Sequence, residues 1–478
     1  MLIFSIYEFR VGFKLVHNLN SYEFTIMIQN LSIKKNELKM KNIYCTALLF
    51  LILISCNTKN LNKGSYSGSV NTSGYKADSL KAPYETGSAK NFSQVLGWKE
   101  NEKPVAPQGF TVSKFAEGFQ HPRWIYVADN GDVFVAESNT ILKGILKFGA
   151  GISRKIKTQH IGESINRITL LRDVDKNGIP EHRYVFAQNL NQPFGMLIIG
   201  DHFYAGNTDG LIKYDYEAGD TAIRGMGQQI VSLPAGKFNR HWTRNIITNA
   251  SKDKIYVGVG SGTNVAEKGL DNEIRRADIL EVNLDGSGER IYAHRLRNPV
   301  GMDWAPGTQT LWAAVNERDE LGDELVPDYF TSVKEGGFYG WPFFYYGQHK
   351  DPRMAGQQSA DAIEKVITPD IPLGSHTASL GLVFYRQHLF PAKYHEGAFI
   401  TQHGSWNRSV LSGYKVIFVP FHDGKPSGKP EDFLTGFVQD LSASKVHGRP
   451  VGIAILPDGS MLVSDDVSNV IWRITTDK

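Results

Sequence analysis

Residues 131–136 read GDVFVA, a Gly-Asp pair followed at once by four apolar residues. Glycine and aspartate favour turns, and a short run of β-branched and aromatic residues favours a strand. Five later segments repeat this turn-then-strand unit: 201–206 (DHFYAG), 253–258 (DKIYVG), 310–315 (TLWAAV), 397–401 (GAFIT) and 459–464 (GSMLVS). The units recur at intervals of roughly 50 to 90 residues, which is the spacing of a repeated small sheet.

Further strand patterns flank these six units. A similar strand precedes two of them, at 298–304 and 449–455, and a third strand follows three of them, at 211–215, 279–283 and 470–474. Repeated small antiparallel sheets are typical of blades arranged around an axis. We therefore predict an all-β fold, a six-bladed β-propeller over residues 92–478, and the pattern alone leaves a large double sandwich open. The longest insertion, from about 317 to 384, is expected on one face, where loops carry function.

Composition excludes several classes of protein. The 52 basic and 49 acidic residues give a net charge of +3 without a long basic run, so no nucleic-acid partner is expected. The two cysteines, Cys45 and Cys56, both lie near the N-terminus, so the body holds neither a disulfide framework nor a cysteine-based zinc site. No CxxCH haem-attachment motif occurs, so electrons from any redox reaction would pass to an external acceptor.

The N-terminal region predicts export. From Met40, a lysine is followed by a short apolar run that ends at Ser55 and Cys56. This arrangement is typical of a signal peptide, since the run is too short to span a membrane. Residues 53–56 (LISC) resemble the bacterial lipobox, which implies a lipid on Cys56 and a place in the cell envelope. We assign residues 1–56 to an upstream segment and signal peptide, with translation starting at Met40 as a hypothesis, and 57–91 to a flexible tether; a buried N-terminal strand is the alternative.

Two residues before repeat strands are candidates for catalysis. Histidine is the side chain best suited to take a proton near neutral pH, and His241 directly precedes the third repeat, where blade loops converge. Arg297 holds the equivalent position before the fourth repeat. An arginine there can polarise a carbonyl or bind a carboxylate, although a surface ion pair is the commoner fate.

Two acidic segments are candidates for calcium. Residues 316–320 (NERDE) form an oxygen-rich loop. Residues 173–178 (DVDKNG) match the first half of a calcium loop, with Asp173, Asp175 and Asn177 as candidate ligands. The twelfth position of that loop is Tyr184 instead of glutamate, and Glu181 is the substitute nearby. A solvated loop at 316–320 and a plain hairpin turn at 173–178 stay open.

Five segments together resemble the glucose/sorbosone dehydrogenase family, the soluble sugar dehydrogenases that use pyrroloquinoline quinone (PQQ) on a six-bladed propeller. They are 241–261, 295–301 (RLRNPVG), 336–342 (GGFYGWP), 403–408 (HGSWNR) and 449–459. The resemblance runs from residue 108 to the C-terminus, and the combination is more specific than any one motif. Residues 190–196 (LNQPFGM) and 403–408 place the chain nearer the sorbosone-type branch.

This resemblance implies a PQQ- and calcium-dependent oxidation of a sugar or a related alcohol or aldehyde. His241 matches the base that takes the hydroxyl proton, and Arg297 matches the arginine beside the quinone carbonyl that receives the hydride. Calcium would bind the quinone and polarise that carbonyl, with the backbone carbonyls of Arg318 and Asp319 as protein ligands. The resemblance assigns the remaining quinone contacts to four residues: Asn298, Asn407, Arg408 and Arg449.

One position departs from the family pattern. Ser261 stands where glucose-type members carry a carboxylate that orients the base, and a serine cannot stabilise an imidazolium by charge. Activity on ordinary aldoses is therefore in question. Two other functions stay open. One is a metal-dependent lactone hydrolase, with several side-chain metal ligands in the tunnel. The other is a glycan-binding propeller that uses Trp341, Trp406 and Tyr345 as stacking platforms.

Overall fold

A computed structural model describes residues 80–141, 158 and 161–477, together with the backbone pairing of two short N-terminal strands. Those strands, Leu2–Ile6 and Phe9–Phe13, form an antiparallel hairpin within a separate compact unit, Met1–Gly68. The predicted signal peptide, the lipid site Cys56 and residues 57–79 of the predicted tether lie outside the described residues. Within the described part of the chain, no helix is long and apolar enough to cross a membrane.

Most described strands of the second unit fall into six mainly antiparallel sheets, which we name sheets 1 to 6. Sheet 1 contains Pro122–Val127, Val133–Glu137, Arg167–Arg172 and His182–Ala187. Sheet 2 contains Met196–Ile199, His202–Asn207, Gly210–Asp215 and Arg224–Ser232. Sheet 3 contains Ile246–Thr248, Lys254–Val259, Asp278–Asn283, Arg290–His294 and the parallel strand Gly337–Phe338.

The other three sheets follow the same plan. Sheet 4 contains Pro299–Trp304, Leu311–Val315, Pro327–Val333 and Ile371–Ser375. Sheet 5 contains Ser379–Phe384, Ala398–Gln402, Lys415–Val419 and Glu431–Leu434. Sheet 6 contains Pro450–Ile455, Met461–Asp465, Val470–Thr476 and Phe110–Glu117. The last of these pairs the N-terminal side of the unit with its C-terminal strand.

Each of the six predicted units is the second strand of one sheet. These strands are almost entirely buried; Val133–Glu137 and Leu311–Val315, for example, expose no residue. The outermost strands are more exposed to solvent, and most residues of Arg224–Ser232 are exposed. Because a strand covered on both faces needs a nearly continuous apolar sequence, the six units were detectable from sequence. The all-β prediction is confirmed.

The first strands of successive sheets pack closely enough to require glycine. A Cβ on Gly301 of sheet 4 would lie 2.5 Å from the carbonyl oxygen of Leu380 in sheet 5. A Cβ on Gly381 of sheet 5 would lie 2.4 Å from the carbonyl oxygen of Val451 in sheet 6. These distances are too short for any side chain, so the glycines set how near the sheets approach.

The remaining described elements lie outside the six sheets. They are the α-helix Ala360–Lys365, the 3₁₀ helices Leu270–Glu273, Pro352–Met354 and Ala392–Tyr394, and the short strands Gln94–Val95, Phe344–Tyr345, His349–Lys350, Phe421–His422, Lys425–Pro426, Val438–Asp440 and Lys445–Val446. The insertion expected at 317–384 contains three strands of sheets 4 and 5, Pro327–Val333, Ile371–Ser375 and Ser379–Phe384. The longer stretches of this insertion outside the sheets are 317–326 and most of 334–370.

The packed region begins upstream of the boundary predicted at residue 92. The backbone N–H of Tyr84 donates to the carbonyl of Leu321 at 2.7 Å, and that of Asn91 donates to Trp406 at 2.9 Å. Residues 80–91, assigned from composition to the flexible tether, are therefore hydrogen-bonded to the domain. The polar composition predicted a flexible segment. That prediction is wrong for these residues because backbone hydrogen bonds, which composition does not reveal, hold them to the domain.

Candidate functional site

The candidate residues gather at one edge of the sheets. In an antiparallel pair, the start of the first strand and the end of the second strand meet at the same edge. His241 and Arg297 precede the first strands of sheets 3 and 4, and Arg449 precedes that of sheet 6. Asp319 and His403 follow the second strands of sheets 4 and 5. Residues far apart in sequence therefore lie close to one cavity, and all of these except Arg297 line it.

This cavity has a volume of about 260 Å³. Polar and charged side chains dominate its wall: Arg123, Arg240, His241, Asn298, Asn316, Glu317, Asp319, His376, His403 and Arg449. Phe92, Trp242 and Trp406 add aromatic surface. A concave site with a few converging polar groups is the usual form of a small-molecule site.

His241 is held by Ser261. Its Nδ1 lies 2.9 Å from both the carbonyl oxygen and the Oγ of Ser261. The Ser261 hydroxyl donates to the carbonyl of Thr263 at 2.7 Å, so it accepts from the ring. Nδ1 therefore carries the proton, and Nε2 is left as the acceptor. Burial first, and then the charges of Arg297 and Arg240, lower the pKa of His241 well below 6.5.

A buried carboxylate supports the loop that holds His241. Glu273 accepts a hydrogen bond from the backbone N–H of Gly262 and one from the hydroxyl of Thr263, both at 2.6 Å. Burial raises the pKa of Glu273. The His241 ring thus bonds to Ser261 and, among the described residues, to no carboxylate, while Glu273 acts on the adjacent backbone.

Arg297 lies behind the cavity wall and does not line the cavity. Its Nε and Nη2 donate to the carbonyl and the Oδ1 of Asn264, at 3.1 and 2.8 Å. Its Nη1 donates to the carbonyl and the Oδ1 of Asn316, at 3.0 and 3.1 Å. The guanidinium therefore positions Asn316, which does line the cavity, and its Nη2 lies 3.7 Å from Oδ2 of Asp319, a second lining residue, in an ion pair. The direct carbonyl contact implied by the resemblance stays a prediction.

An ion pair joins Asp319 to His376 on the cavity wall. His376 Nδ1 lies 3.3 Å from Asp319 Oδ1, and His376 Nε2 donates to the carbonyl of Gly322 at 2.8 Å. Although burial acts in the opposite direction, the hydrogen bond from His376 and the charge of Arg297 hold the pKa of Asp319 at about 2. Burial opposes the charge on His376 as well, yet Asp319 raises the pKa of the ring. Because both ring nitrogens of His376 face oxygen acceptors, the geometry favours a doubly protonated ring beside an ionised Asp319.

Two further buried carboxylates lie near Asp319 in the sequence: Glu317, which lines the cavity, and Asp328, which does not. Burial raises the pKa of Glu317 to about 7 and that of Asp328 to about 6. Asp328 accepts from the backbone N–H groups of Glu317 and Ser379 and from the hydroxyl of Thr377. The wall at Glu317 thus carries less than its full negative charge at neutral pH and would gain from a nearby cation.

A second charged group lies on the wall contributed by sheets 1, 5 and 6. Asp466 accepts from Arg123 Nη1 at 2.5 Å and from His403 Nε2 at 2.9 Å. Burial opposes the charge on Asp466, but its contacts with His403 and Arg123 hold its pKa well below the usual range. Burial, and then the charge of Arg449, lower the pKa of His403 to about 3, so its ring is neutral. Arg449 donates from Nε and Nη2 to the carbonyls of His403 and Gly404.

Of the four predicted quinone contacts, Arg449, Asn407 and Arg408 have side-chain hydrogen bonds that define their position. Asn298 lines the cavity, and its buried Oδ1 has no hydrogen-bond partner among the described residues. Asn407 lies outside the cavity lining and bonds to Ser88, Ala89 and Glu320. Arg408 also lies outside it and bonds to Asp323 and Glu324.

The second calcium segment forms a compact acidic turn. Carboxylate oxygens of Asp173, Asp175 and Glu181 lie within 4.8 Å of one another, so the structure brings the proposed substitute Glu181 to the loop. Asn177 points its Nδ2 at Asp175 at 2.8 Å and its Oδ1 at the N–H of Ile179, so it closes the turn. None of the residues of this turn lines the cavity.

Sequence reasoning did not single out Arg123, Arg240, His376 or Asp466. Arg123 lies in the first strand of sheet 1, Asp466 follows the second strand of sheet 6, and Arg240 directly precedes the predicted base. His376 lies between the last strand of sheet 4 and the first strand of sheet 5. These positions were the available signal. Of the aromatic residues suggested as glycan platforms, Trp341 and Tyr345 are buried, and Trp341 donates to the carbonyl of Asn264. Only Trp406 of these three lines the cavity.

Comparison with known proteins gives a family match and several structural relatives. The TrAA12-like family model matches residues 104–328 and 347–477. A Borreliella burgdorferi protein described as uncharacterized is 28% identical over 383 residues, which cover 78% of this chain and 90% of that protein. The holo form of the pyranose dehydrogenase PQQ domain from Coprinopsis cinerea superposes with a TM-score of 0.62 at 20% identity, covering 80% of this chain and 100% of the other. A calcium structure of the Trichoderma reesei family AA12 enzyme gives 0.64 at 17% identity, covering 81% and 99%. At these identities the structures show a shared fold.

Proposed function

The chain belongs to the TrAA12-like family, and from that premise we propose that it is a PQQ- and calcium-dependent dehydrogenase that oxidises a sugar by hydride transfer to the quinone. The family match agrees with the resemblance to PQQ-dependent sugar dehydrogenases found in the sequence. The single observation that carries the proposal is the cavity in which His241, oriented by Ser261, faces a wall of arginines.

The same proposal includes a propeller of six blades, with sheets 1 to 6 as the blades. It is supported by the close approach of successive first strands, which continues from sheet 6 to sheet 1: a Cβ on Gly452 would lie 2.9 Å from the carbonyl oxygen of Arg123. It is also supported by the pairing of Phe110–Glu117 with Val470–Thr476, a closure that joins the two ends of the chain.

The cavity residues fit an anionic quinone. Three arginines, Arg123, Arg240 and Arg449, line the cavity, and guanidinium groups suit carboxylates. Two buried polar atoms on this wall, Arg123 Nε and Asn298 Oδ1, have no hydrogen-bond partner among the described residues. A buried polar atom without a partner is costly, so these two atoms indicate a polar ligand. When bound, the quinone would supply a carbonyl carbon that accepts the hydride and its electron pair.

His241 would take the proton of the sugar hydroxyl. Its Nε2 is the free acceptor because Nδ1–H is bonded to Ser261, and its low pKa keeps the ring neutral at neutral pH. The hydroxyl proton passes to Nε2 as the hydride leaves the carbon that bears this hydroxyl, so that carbon becomes a carbonyl carbon. Arg297, held by Asn264 and Asn316, acts as a positioning residue whose positive charge favours negative charge in the cavity.

Calcium fits the Glu317 carboxylate better than the carbonyl of Asp319. The carbonyl oxygen of Asp319 already accepts from Arg318 Nε and Nη2, at 3.0 and 2.7 Å, so a cation there would face a guanidinium. The carboxylate of Asp319 is itself paired with His376, at 3.3 Å, and with Arg297, at 3.7 Å. Glu317 lines the cavity, burial raises the pKa of its carboxyl to about 7, and a carboxylate is an oxygen donor of the kind that calcium takes. We propose the Glu317 carboxylate as a calcium ligand in place of the Asp319 carbonyl, and the Arg318 carbonyl stays a predicted ligand.

Ser261→Asp should move the acidic limb of the pH–rate profile to higher pH. A carboxylate beside Nδ1 stabilises the imidazolium and raises the pKa of His241, by about 1 to 3 units for a close opposite charge. The measurement is kcat/KM from pH 4 to 9. Ser261→Ala, which keeps the carbonyl contact, is the matched control and should leave the limb in place. A limb that does not move in Ser261→Asp would show that another group controls it.

Reconstitution tests the function itself. The full chain, loaded with PQQ and calcium, should reduce a dye in the presence of aldoses or osones, and a calcium chelator should lower the rate about tenfold or more. Quinone binding is followed by its absorbance. A chain that binds no quinone contradicts the proposal, and lactone hydrolysis or sugar binding without turnover would then be the functions to measure.

We also propose that the protein is anchored in the cell envelope through a lipid on Cys56 and that it passes electrons to an external acceptor. The support is the signal-peptide pattern at residues 40–56 and the lack of a CxxCH motif in the sequence. The sugar substrate is the only other partner in this proposal.

A further inference from the structure

Residues 84–92, which we name the strap, lie upstream of the family-matched region, which begins at residue 104. Even so, the strap supplies one residue to the cavity wall, Phe92. The family match does not reach this wall residue, so its own contacts decide whether it is built into the site.

The strap is bonded to the loop that follows Asp319. The N–H of Tyr84 donates to the carbonyl of Leu321 at 2.7 Å, and the N–H of Asp323 donates to the carbonyl of Gly87 at 3.0 Å. Gly322 has φ +132°, and a Cβ there would lie 2.7 Å from Thr86 Oγ1, so the two segments are packed without room for a side chain. The first half of the strap is fixed to this loop.

The second half of the strap is bonded to the loop that contains Trp406. The N–H of Asn91 donates to the carbonyl of Trp406 at 2.9 Å, and the Asn91 Nδ2 donates to that of Ser409 at 2.9 Å. Asn407 donates from Nδ2 to the carbonyl of Ala89 at 3.0 Å. Bonds on both sides of Trp406 hold the strap in one register, so the position of Phe92 is set by backbone and amide contacts.

Phe92 and Trp406 form an aromatic wall. Their ring centroids are 5.8 Å apart and the rings are parallel within 4°, so the two rings form an offset stack. Both side chains are half-buried and line the cavity. The guanidinium of Arg240 lies 5.8 Å from the Trp406 centroid, and Arg240 directly precedes His241, so the loop of the proposed base reaches the wall. The apolar surface of this stack, beside polar side chains, matches a pyranose ring, which has an apolar C–H face and a polar rim of hydroxyls.

We propose that Phe92 is a specificity-determining residue, and that the Phe92–Trp406 wall packs against the apolar face of a pyranose whose hydroxyl is presented to His241. This inference rests on the proposed function and deepens it, because it assigns substrate binding to a residue that lies outside the family-matched region. It assigns to the strap a role in substrate binding that the six sheets alone do not provide.

The test is Phe92→Ala in the full chain, with D-glucose, D-galactose and D-mannose as probes. Two quantities are measured: the sugar Kd from tryptophan fluorescence of the quinone-free protein, and KM and kcat of the reconstituted protein. We expect Kd and KM to rise about tenfold for the best sugar, the size of one lost aromatic contact, with kcat and quinone affinity within about twofold of wild type.

Two variants control for damage to the strap. Phe92→Tyr keeps a flat ring and should restore Kd and KM to within about twofold. Leu96→Ala removes an exposed apolar side chain from the same region outside the cavity and should change neither value. Unchanged Kd and KM in Phe92→Ala, or wild-type protein that binds none of the three sugars, would overturn the inference. Failure of quinone binding would instead contradict the proposed function, while the fluorescence Kd would still decide the role of Phe92.

Discussion

His241→Ala should lower kcat for sugar oxidation by about 10²- to 10⁴-fold while leaving quinone affinity near that of wild type. The reason is local: Nε2 of His241 is the acceptor that Ser261 leaves free, and burial keeps the ring neutral. Without it, the hydroxyl proton has no positioned acceptor when the hydride leaves. The measurement is steady-state dye reduction by the reconstituted full chain, with quinone binding followed by absorbance.

Rescue by added imidazole tests whether His241 is the proton acceptor. If His241 is the proton acceptor, free imidazole should restore part of the lost rate, and the rescue should increase with the neutral fraction of imidazole as the pH rises through about 7. His349→Ala is the matched control, because His349 bonds to the carbonyl of Tyr346 and does not line the cavity. A His241→Ala variant that keeps most of its activity would exclude His241 as the base.

The six second strands were predictable because each is buried on both faces and is preceded by turn residues. Burial of this kind favours a short apolar run, and residues 133–136 (VFVA) and 461–463 (MLV) show it directly in the sequence. The strap was not predictable by the same reasoning. Its residues are polar, and it is ordered by backbone bonds to loops that lie more than 200 positions later, such as Tyr84 to Leu321. Composition carries no record of such partners.

The candidate site was predictable where a residue adjoins a repeat. His241 and Asn298 precede first strands, and both line the cavity. Arg297 has the same kind of position, yet its side chain turns away to bond Asn264 and Asn316, and side-chain direction at a strand end is not encoded in spacing. His376 and Asp466 were missed because each depends on a partner from another sheet or loop. Such contacts between different sheets or loops become visible only in the three-dimensional structure.

Asp466→Asn should destabilise the fold by about 3 to 5 kcal/mol at pH 7. Asp466 is fully buried between Arg123 and His403, and its carboxylate compensates the buried guanidinium. An amide of the same shape removes that charge and leaves Arg123 uncompensated. Because the pKa of Asp466 is held below its unfolded value, the stabilisation is present above about pH 4 and is lost as the pH falls below it. The measurement is urea unfolding of the full chain, followed by tryptophan fluorescence.

The neighbouring residue provides the matched control. Asp465 is equally buried, but burial raises its pKa to about 6, and its partners are neutral N–H groups of Trp98, Arg449 and Ser468. Asp465→Asn should therefore cost only about 1 kcal/mol, one neutral hydrogen bond. Its carboxylate is destabilising once ionised, so the wild type loses stability as the pH rises from about 4 to 6, and the cost of Asp465→Asn should be larger at pH 5 than at pH 7. The cost of Asp466→Asn should be the same at those two pH values. Equal costs and equal pH trends for the two variants would show that the charge on Asp466 is not what holds this wall of the cavity together.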